Sequence, residues 1–179
     1  NEVTYGNSTF MIVGDSGTIL TSSDNGTTWT SRNSGTSYDL PGGTYGNSIF
    51  MTVSDIGTIL TSSDNGTTWI SSSFGTSNIL RGNTYGNSTF VTVGDTGTIF
   101  TFSVRVGDTG TIDGISWDNR TSGTSNTLQG INYENGLFVT VGESGTILTS
   151  SDNGTTWTSR TSGTSSYLKE VAYGNGLFV

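Results

Sequence analysis

The sequence predicts an all-β protein in which a four-stranded antiparallel unit of about 40 residues is repeated along the chain. The composition is the first observation behind this prediction. Among 179 residues there are 27 glycines, while hydrophobic residues account for 30% and charged residues for 11%. Helical bundles do not have this composition. The second observation is a regular spacing of marker residues, and the third is a succession of short apolar runs separated by turns.

Two aromatic markers define the repeat. The tyrosine of a Tyr-Gly-Asn or Tyr-Glu-Asn turn recurs at steps of 40, 40, 48 and 40 residues, at Tyr5, Tyr45, Tyr85, Tyr133 and Tyr173. The tryptophans recur at steps of 40, 48 and 40 residues, at Trp29, Trp69, Trp117 and Trp157. Both series therefore report one structural unit, with one irregularity of eight residues in its third copy.

The last complete copy shows how each unit is built. Its apolar runs predict strands, and Gly-rich or Asn-rich turns separate them, at 128–133, 137–141, 146–150 and 155–159. Asn-Gly and Asp-x-Gly suit these turns because Gly and Asn tolerate positive φ with little strain. A four-stranded meander repeated about every 40 residues is typical of a β-propeller blade. A β-solenoid, the alternative, repeats over shorter coils and does not need a hairpin turn at every strand end.

The spacing places the blades at about 1–40, 41–80, 81–128 and 129–168, followed by a partial fifth blade at 169–179. Half a blade leaves unpaired strand edges. We therefore expect a piece of a longer propeller, a ring completed by another copy, or a four-bladed ring with overlapping closure. In the third unit, 93–99 is echoed by 106–112, which predicts either a protruding hairpin or rearranged outer strands.

An octet with the pattern Ser-x-Asp-x-Gly-x-Thr-Trp occurs at 22–29, 62–69 and 150–157. This octet resembles the Asp-box, or BNR, repeat of sialidases, sortilin-type receptors, some glycoside hydrolases and photosystem II assembly factors. The resemblance implies a propeller and leaves the function open. In physical terms, the Asp accepts hydrogen bonds from its own turn, the Gly permits the bend and the Trp packs between sheets. These structural positions are Asp24, Gly26, Trp29, Asp64, Gly66, Trp69, Asp152, Gly154 and Trp157.

The charge and the missing residue types exclude several functions. Fourteen acidic residues stand against six basic ones, so the formal net charge is -8, which disfavours nucleic acid and anionic membrane surfaces as partners. With no His and no Cys there is no imidazole base, no thiolate and no ordinary zinc or iron–sulfur site, so we expect no cofactor and no metal. No apolar stretch is long enough to predict membrane insertion, and the first residues do not resemble an export signal.

The sequence predicts no catalytic residues. The sialidase resemblance implies an arginine triad, a Tyr/Glu nucleophilic pair and an Asp acid. Arg32, Arg120 and Arg160 each follow a marker Trp by three residues, which places them on the outer strand, away from a central pocket. A glycoside hydrolase or sialidase relative is therefore the alternative to a binding protein, and an assembly factor is another.

Two repeated sets of residues are candidates for binding. Turns between the second and third strands carry acids that are either solvated or form a multivalent site for cations or polar ligands, namely Asp15, Asp55, Asp95 and Glu143. The marker tyrosines Tyr5, Tyr45, Tyr85 and Tyr133 either stack on sugars or pack between blades. We expect non-catalytic, multivalent binding or scaffolding with a glycan or protein partner, at the cell surface or outside the cell, with homo-oligomerisation as one option.

Overall fold

A computed structural model places residues 2–106 and 112–179, and describes the side chains of 2–104 and 116–179. The placed residues form four four-stranded antiparallel sheets and one two-stranded sheet. The first sheet consists of β1 (Glu2–Gly6), β2 (Thr9–Val13), β3 (Ile19–Ser22) and β4 (Thr30–Arg32). The second consists of β5 (Gly42–Gly46), β6 (Ile49–Val53), β7 (Thr58–Ser62) and β8 (Ile70–Ser73).

The remaining strands continue the same order. The third sheet consists of β9 (Leu80–Gly86), β10 (Thr89–Gly94), β11 (Ile99–Val106) and β12 (Ile112–Arg120). The fourth consists of β13 (Leu128–Glu134), β14 (Leu137–Gly142), β15 (Ile147–Ser150) and β16 (Thr158–Arg160), and the last pair of β17 (Tyr173–Gly174) and β18 (Leu177–Phe178). Consecutive strands pair within each sheet, which confirms the predicted four-stranded blades of an all-β propeller.

The chain divides into two compact units. The first unit comprises Asn1–Ile79 and Val104–Ile115, and the second comprises Leu80–Ser103 and Ser116–Val179. The first two sheets lie in the first unit, and the fourth sheet and the terminal strand pair lie in the second. None of the residues that the structure places belongs to a helix long and apolar enough to span a membrane.

The tight turns follow the predicted chemistry. Two residues, Asn7 and Ser8, connect β1 to β2 with φ values of 44° and 59°. Strand pairing in this hairpin runs in register from Glu2 opposite Val13 to Gly6 opposite Thr9. An Asn at the first turn position tolerates the left-handed conformation because its short amide can bond locally.

The fourth strand begins later than predicted. In the last complete copy we expected a strand over 155–159, but β16 begins at Thr158. Residues 155–157 belong instead to the turn, where both the backbone N–H and the hydroxyl of Thr156 bond to Asp152. A donor that is engaged by the turn cannot pair with β15, and this is the physical reason for the difference.

The irregular third unit has long outer strands. Its strands β11 and β12 contain eight and nine residues, whereas β3 and β4 contain four and three. The echoed segment 106–112 includes residues 107–111, which lie outside the described residues, as do the side chains of 113–115 in the degenerate turn motif. Trp117 on β12 contacts Phe100 edge to face, with ring centroids 5.5 Å apart.

Apolar side chains from successive sheets pack together, and we call each such group an interblade cluster. In the first unit the cluster contains residues of the first and second sheets and of the segment between them, namely Met11, Val13, Ile19, Leu40, Phe50 and Leu60. Tyr45 and Trp69 pack against this cluster. In the second unit the cluster consists of Val91, Val93, Ile99, Leu128, Ile131, Phe138 and Leu148. Tyr133 and Trp157 pack against it. The middle strands are accordingly buried on both faces, and all five residues of β6 are buried.

The marker tyrosines reach across to the preceding sheet. A Cβ atom added at Gly6 would overlap ring carbons of Tyr45, and one added at Gly86 would overlap ring carbons of Tyr133. Glycine is thus required at both positions by the close approach of the ring and not by an unusual φ. At Gly174, the same position of the fifth unit, an added Cβ meets nothing within 4 Å.

We expect Gly6→Ala and Gly86→Ala to destabilise the protein by roughly 1–3 kcal/mol, because the new methyl group displaces a packed tyrosine ring. Gly174→Ala is the matched control and should change stability by less than about 0.5 kcal/mol. Urea unfolding of the three variants measures the difference. Equal effects at Gly6 and Gly174 would show that the Tyr45 ring is not seated on the first sheet.

Candidate functional site

The repeated octet folds as a turn that is closed by its own carboxylate. Asp24 Oδ1 accepts hydrogen bonds from the Ser22 hydroxyl at 2.7 Å and from the Thr28 backbone N–H at 2.9 Å. Asp24 Oδ2 accepts one from the Thr28 hydroxyl at 2.6 Å. The Ser22 hydroxyl oxygen in turn accepts the Gly26 N–H at 3.0 Å. The same bonds recur around Asp64 and Asp152.

These hydrogen bonds stabilise the charged form of the aspartates. Donation from the side chain and then the backbone of Thr28, followed by Ser22, lowers the pKa of Asp24 to about 2. Thr156 and Ser150 lower the pKa of Asp152 to about 2 in the same way. At Asp64, burial raises the pKa, but the bonds from Thr68 and Ser62 outweigh it and the pKa is lowered. A carboxylate held in this way is a poor general acid, and its oxygens are occupied by the turn.

The glycine and tryptophan of the octet connect this turn to the preceding sheet. The indole Nε1–H of Trp69 donates to the Gly66 carbonyl at 3.1 Å. A Cβ at Gly66 would come within 2.8 Å of the Thr21 methyl group, and one at Gly154 within 2.7 Å of the Thr101 methyl group. At Gly26, in the first copy, the nearest atom belongs to its own Trp29 at 3.6 Å, and Trp29 is 38% exposed.

The arginines after the tryptophans make a repeated contact with the third strand of their sheet. The Nε–H group donates to a threonine hydroxyl at 2.8, 2.8 and 2.9 Å, in the pairs Arg32–Thr21, Arg120–Thr101 and Arg160–Thr149. These arginines therefore lie on the outer strands. In the second sheet the corresponding residue is Ser72, and the buried hydroxyl of Thr61 has no hydrogen-bond partner.

The candidate tyrosines all contact the phenylalanine opposite them on the next strand. The centroid distances are 4.6, 4.7, 4.6 and 4.4 Å for Tyr5–Phe10, Tyr45–Phe50, Tyr85–Phe90 and Tyr133–Phe138. Tyr45 and Tyr133 also cover Gly6 and Gly86, so part of each ring surface is used in packing. Tyr5 is 55% exposed and keeps more of its ring available for a ligand.

The candidate acids lie in turns between the second and third strands of their sheets. Asp15, Asp95 and Glu143 each begin a short 3-10 turn. In each turn the backbone carbonyl of the acid accepts a hydrogen bond from the N–H of the threonine three residues later. Asp95 pairs with Arg81, and Glu143 accepts the Thr127 N–H at 3.1 Å. Asp55 lies in the corresponding turn between β6 and β7. Among the side chains of residues 2–104 and 116–179, no three His, Cys, Asp or Glu are grouped so that they could hold a metal ion.

A groove with a volume of about 720 Å³ lies in the second unit. We call it the polar groove, and its lining includes Leu148, Trp157, Arg160, Asn126 and two Ser-Gly-Thr segments at 122–124 and 162–164. The Ser-Gly-Thr segments are locally ordered, because the hydroxyl of Ser122 donates to the Thr124 carbonyl at 3.1 Å and that of Ser162 to the Thr164 carbonyl at 3.0 Å. Arg160 is exposed, and its contact with Thr149 uses only the Nε–H group.

The sequence did not identify this groove. The sequence places Arg160 on the outer strand, away from a central pocket, and gives no indication of a groove there. The available signal is the recurrence of an Arg three residues after Trp and two residues before a Ser-Gly-Thr segment. That pattern places a cation, an indole ring and a hydroxyl-rich loop within one short stretch of chain.

No protein-family model and no curated protein matches the sequence. The fold is similar to that of solved structures. YCF48 bound to a D1 peptide matches with a TM-score of 0.71 and 17% identity, over 97% of this chain and 57% of that one. YCF48 from Cyanidioschyzon merolae matches with a TM-score of 0.71 and 16% identity, over 98% of this chain and 63% of that one.

The computationally designed Ika8 protein matches as well, with a TM-score of 0.71 and 11% identity, over 98% of this chain and 53% of that one. The chain thus spans about three fifths or less of the length of these structures. The matches to YCF48 confirm the predicted β-propeller fold. At these identities the likeness concerns the fold alone.

We expect Asp152→Asn to lower the melting temperature at pH 7 and to flatten its dependence on pH. The folded pKa of about 2 lies below the ordinary value of 3.8, so the carboxylate stabilises the fold above about pH 4. This stabilisation is lost as the pH falls from about 4 towards 2. Thermal melts between pH 7 and pH 2 measure it, with Glu134→Gln as a control that neutralises an exposed acid outside these turns. Parallel curves for Asp152→Asn and the wild type would contradict the assignment.

Ser72→Arg should stabilise the protein by about 1 kcal/mol, because it supplies the donor that Thr61 lacks and that Arg32 provides to Thr21 in the first sheet. Ser72→Arg in a Thr61→Val background is the control, since it adds the same charge when the hydroxyl acceptor is absent. Urea unfolding compares each Arg variant with its own background. A gain of equal size in both backgrounds would show that charge, and not the hydrogen bond to Thr61, is responsible.

Proposed function

We propose that this protein is a non-catalytic binding module that holds a peptide segment of a partner protein in the polar groove. The observation that carries the proposal is the juxtaposition of Trp157, Leu148 and the exposed Arg160 with two hydroxyl-rich segments around one space of about 720 Å³. A space of this size accommodates several side chains of a ligand.

The lining specifies the class of peptide. The half-buried indole of Trp157 offers an apolar surface to a ligand side chain, and the buried Leu148 supports it from below. The guanidinium of Arg160 retains its terminal donors, which suit a carboxylate. The hydroxyls of Thr124 and Thr164 can donate to the peptide backbone, and the side-chain oxygen of Asn126 can accept from it, while the Asn126 side-chain nitrogen already donates to Thr146. The expected ligand is therefore a short peptide that presents an acidic group next to an apolar or aromatic residue.

The fold is compatible with this role. One of the similar structures is YCF48 solved with a bound D1 peptide. That observation supports a protein partner over other ligands for a propeller of this kind, and it makes an assembly factor a reasonable context for the binding. The ligand class itself is inferred from the groove and not from the neighbour.

Glycan recognition is the second candidate, and the exposure of Tyr5 favours it. Tyr5 is 55% exposed, and Asn7, two residues further along the chain, donates its side-chain N–H to the side-chain oxygen of Asn65 at 2.7 Å. Aromatic rings next to amides are common in sugar sites. We also propose a location outside the cytoplasm for either activity.

Selection from a displayed library of random peptides tests the main proposal. We expect enriched peptides whose affinity falls at least about tenfold in Arg160→Glu, since the charge that meets the carboxylate is reversed. Arg32→Glu is the matched control: Arg32 makes the same bond to its threonine but does not line the groove, so binding should be unchanged. Titration calorimetry gives the affinities.

Two outcomes would contradict the proposal. The first is binding that is unaffected by Arg160→Glu, which would place the peptide elsewhere. The second is a library without enriched peptides together with saturable hits on a glycan array, which would transfer the function to sugar recognition.

A further inference from the structure

Asparagine followed directly by glycine occurs five times in the chain. Three of these pairs lie in the Asp-containing turns, at 25–26, 65–66 and 153–154, and two lie in hairpin turns, at 135–136 and 175–176. A following glycine favours an intrinsic ring closure of the asparagine side chain, because it has no Cβ to obstruct the ring. The surroundings of each pair therefore decide whether it reacts.

The reaction joins two groups that are adjacent along the chain. The backbone nitrogen of the following residue attacks Cγ of the asparagine, ammonia leaves, and a five-membered succinimide ring remains. Water then opens the ring at one of its two carbonyls, which gives aspartate or isoaspartate. The attacking nitrogen has to give up its proton, so an N–H that is held by a hydrogen-bond acceptor reacts more slowly.

The Asp-containing turns hold this nitrogen. In each turn the glycine N–H donates to the serine hydroxyl four residues earlier, at 3.0, 2.9 and 3.0 Å in the pairs Gly26–Ser22, Gly66–Ser62 and Gly154–Ser150. The side-chain oxygen of Asn65 also accepts a hydrogen bond from Asn7 at 2.7 Å, and that of Asn153 accepts one from Asn87 at 2.6 Å. In these two copies both reacting groups are thus restrained.

The pair Asn135–Gly136 has a different environment. It forms the whole turn between β13 and β14, with φ values of 55° and 79°, and Glu134 lies opposite Leu137 at its base. In a two-residue turn the flanking residues make the closing hydrogen bond, which leaves the N–H of the second turn residue facing solvent. Both turn residues are exposed, and a Cβ added at Gly136 would meet nothing within 4 Å, so there is room for the ring.

The amide nitrogen of Asn135 is the one part of the pair with a partner elsewhere in the fold. It donates to the Tyr173 hydroxyl at 3.0 Å. This nitrogen is the atom that leaves as ammonia, and the bond restrains no atom of Gly136. A carboxylate in place of the amide has no N–H to donate, so the contact with Tyr173 is lost when the reaction occurs.

We propose that Asn135 is a site of spontaneous deamidation, at which the folded protein forms aspartate and isoaspartate, while the asparagines of the Asp-containing turns persist. The bond from the Gly136 nitrogen to Asn135 Cγ forms, the Cγ–Nδ2 bond breaks, and the proton of the Gly136 nitrogen leaves with the ammonia. One water molecule then adds to the ring, and nothing is oxidised or reduced. The product carries a new negative charge, and its isoaspartate form lengthens the backbone of the turn by one carbon.

Incubation of the 179-residue chain in mildly alkaline buffer tests the proposal. Digestion after glutamate then yields residues 135–143, which contain Asn135, and residues 144–170, which contain Asn153. Mass spectrometry gives the extent of deamidation in each peptide, and methyl transfer by an isoaspartyl methyltransferase identifies isoaspartate. We expect Asn135 to convert at least about fivefold faster than Asn153, since the hydrogen bond of the Gly154 N–H has to be broken first.

Two variants test the protective hydrogen bond. Ser150→Ala removes the acceptor of the Gly154 N–H and should accelerate conversion of Asn153 at least about threefold, with Asn135 unchanged. Thr156→Val is the matched control, because it removes a different hydroxyl bond of the same turn, the one to Asp152, and leaves the Ser150–Gly154 bond in place. It should leave the rate at Asn153 unchanged.

The wild-type chain in concentrated urea shows whether the fold causes the difference. Without the fold, Asn135 and Asn153 should convert at rates within about twofold of each other. This comparison remains informative even where Ser150→Ala unfolds the turn.

Three results would overturn the proposal. They are an Asn135 that stays intact in the folded chain, an Asn153 that converts as fast as Asn135, and a ratio of rates that is the same with and without urea. Equal acceleration by Thr156→Val and Ser150→Ala would overturn the protective role of the Ser150 hydroxyl. Neither asparagine lines the polar groove, so peptide binding there is decided separately.

Discussion

The structure depends on the contact between one sheet and the next. The second strand of each blade carries apolar side chains on both faces. A single blade therefore cannot bury its own core. The cluster formed by Met11, Val13 and Ile19 with Phe50 and Leu60 is therefore the elementary unit of stability, more than either sheet alone. Burial of apolar surface drives this packing, and the glycines under Tyr45 and Tyr133 let the sheets approach closely enough to achieve it.

The Asp-containing turn serves this same contact. Its carboxylate accepts three hydrogen bonds from within the turn, which fixes the bend and brings the Gly and Trp against the preceding sheet. A catalytic acid needs a free oxygen and a raised pKa, whereas Asp24 and Asp152 have a pKa of about 2. Repetition of the motif is thus explained by architecture, because one such turn contributes its tryptophan to each of the two complete interblade clusters, Trp69 in one and Trp157 in the other.

Much of the fold could be predicted because the repeat makes the local signals redundant. The positions of Tyr45 and Trp69, the apolar run over β6 and the Asn-containing turns all report the same unit. The beginning of β16 could not be predicted, because hydrogen bonds from Thr156 to Asp152 compete with strand pairing and the sequence does not show which prevails. The polar groove could not be predicted, since it is a space left between segments whose separation depends on packing. The Arg160–Thr149 hydrogen bond could not be predicted either, because it depends on how β16 pairs with β15.

One departure from the repeat changes how the last unit packs. In four of the five units a Gly follows the marker Tyr, but in the fourth unit this residue is Glu134. The side chain of Asn135 donates a hydrogen bond to the Tyr173 hydroxyl of the fifth unit at 3.0 Å. A residue with a Cβ at this position prevents the close seating seen at Gly6 and Gly86. The fifth unit therefore packs on the fourth by a different geometry from that used in the two complete interfaces. One substitution in a repeated sequence thus changes how one unit packs on the next, because the glycine that admits the tyrosine ring is lost.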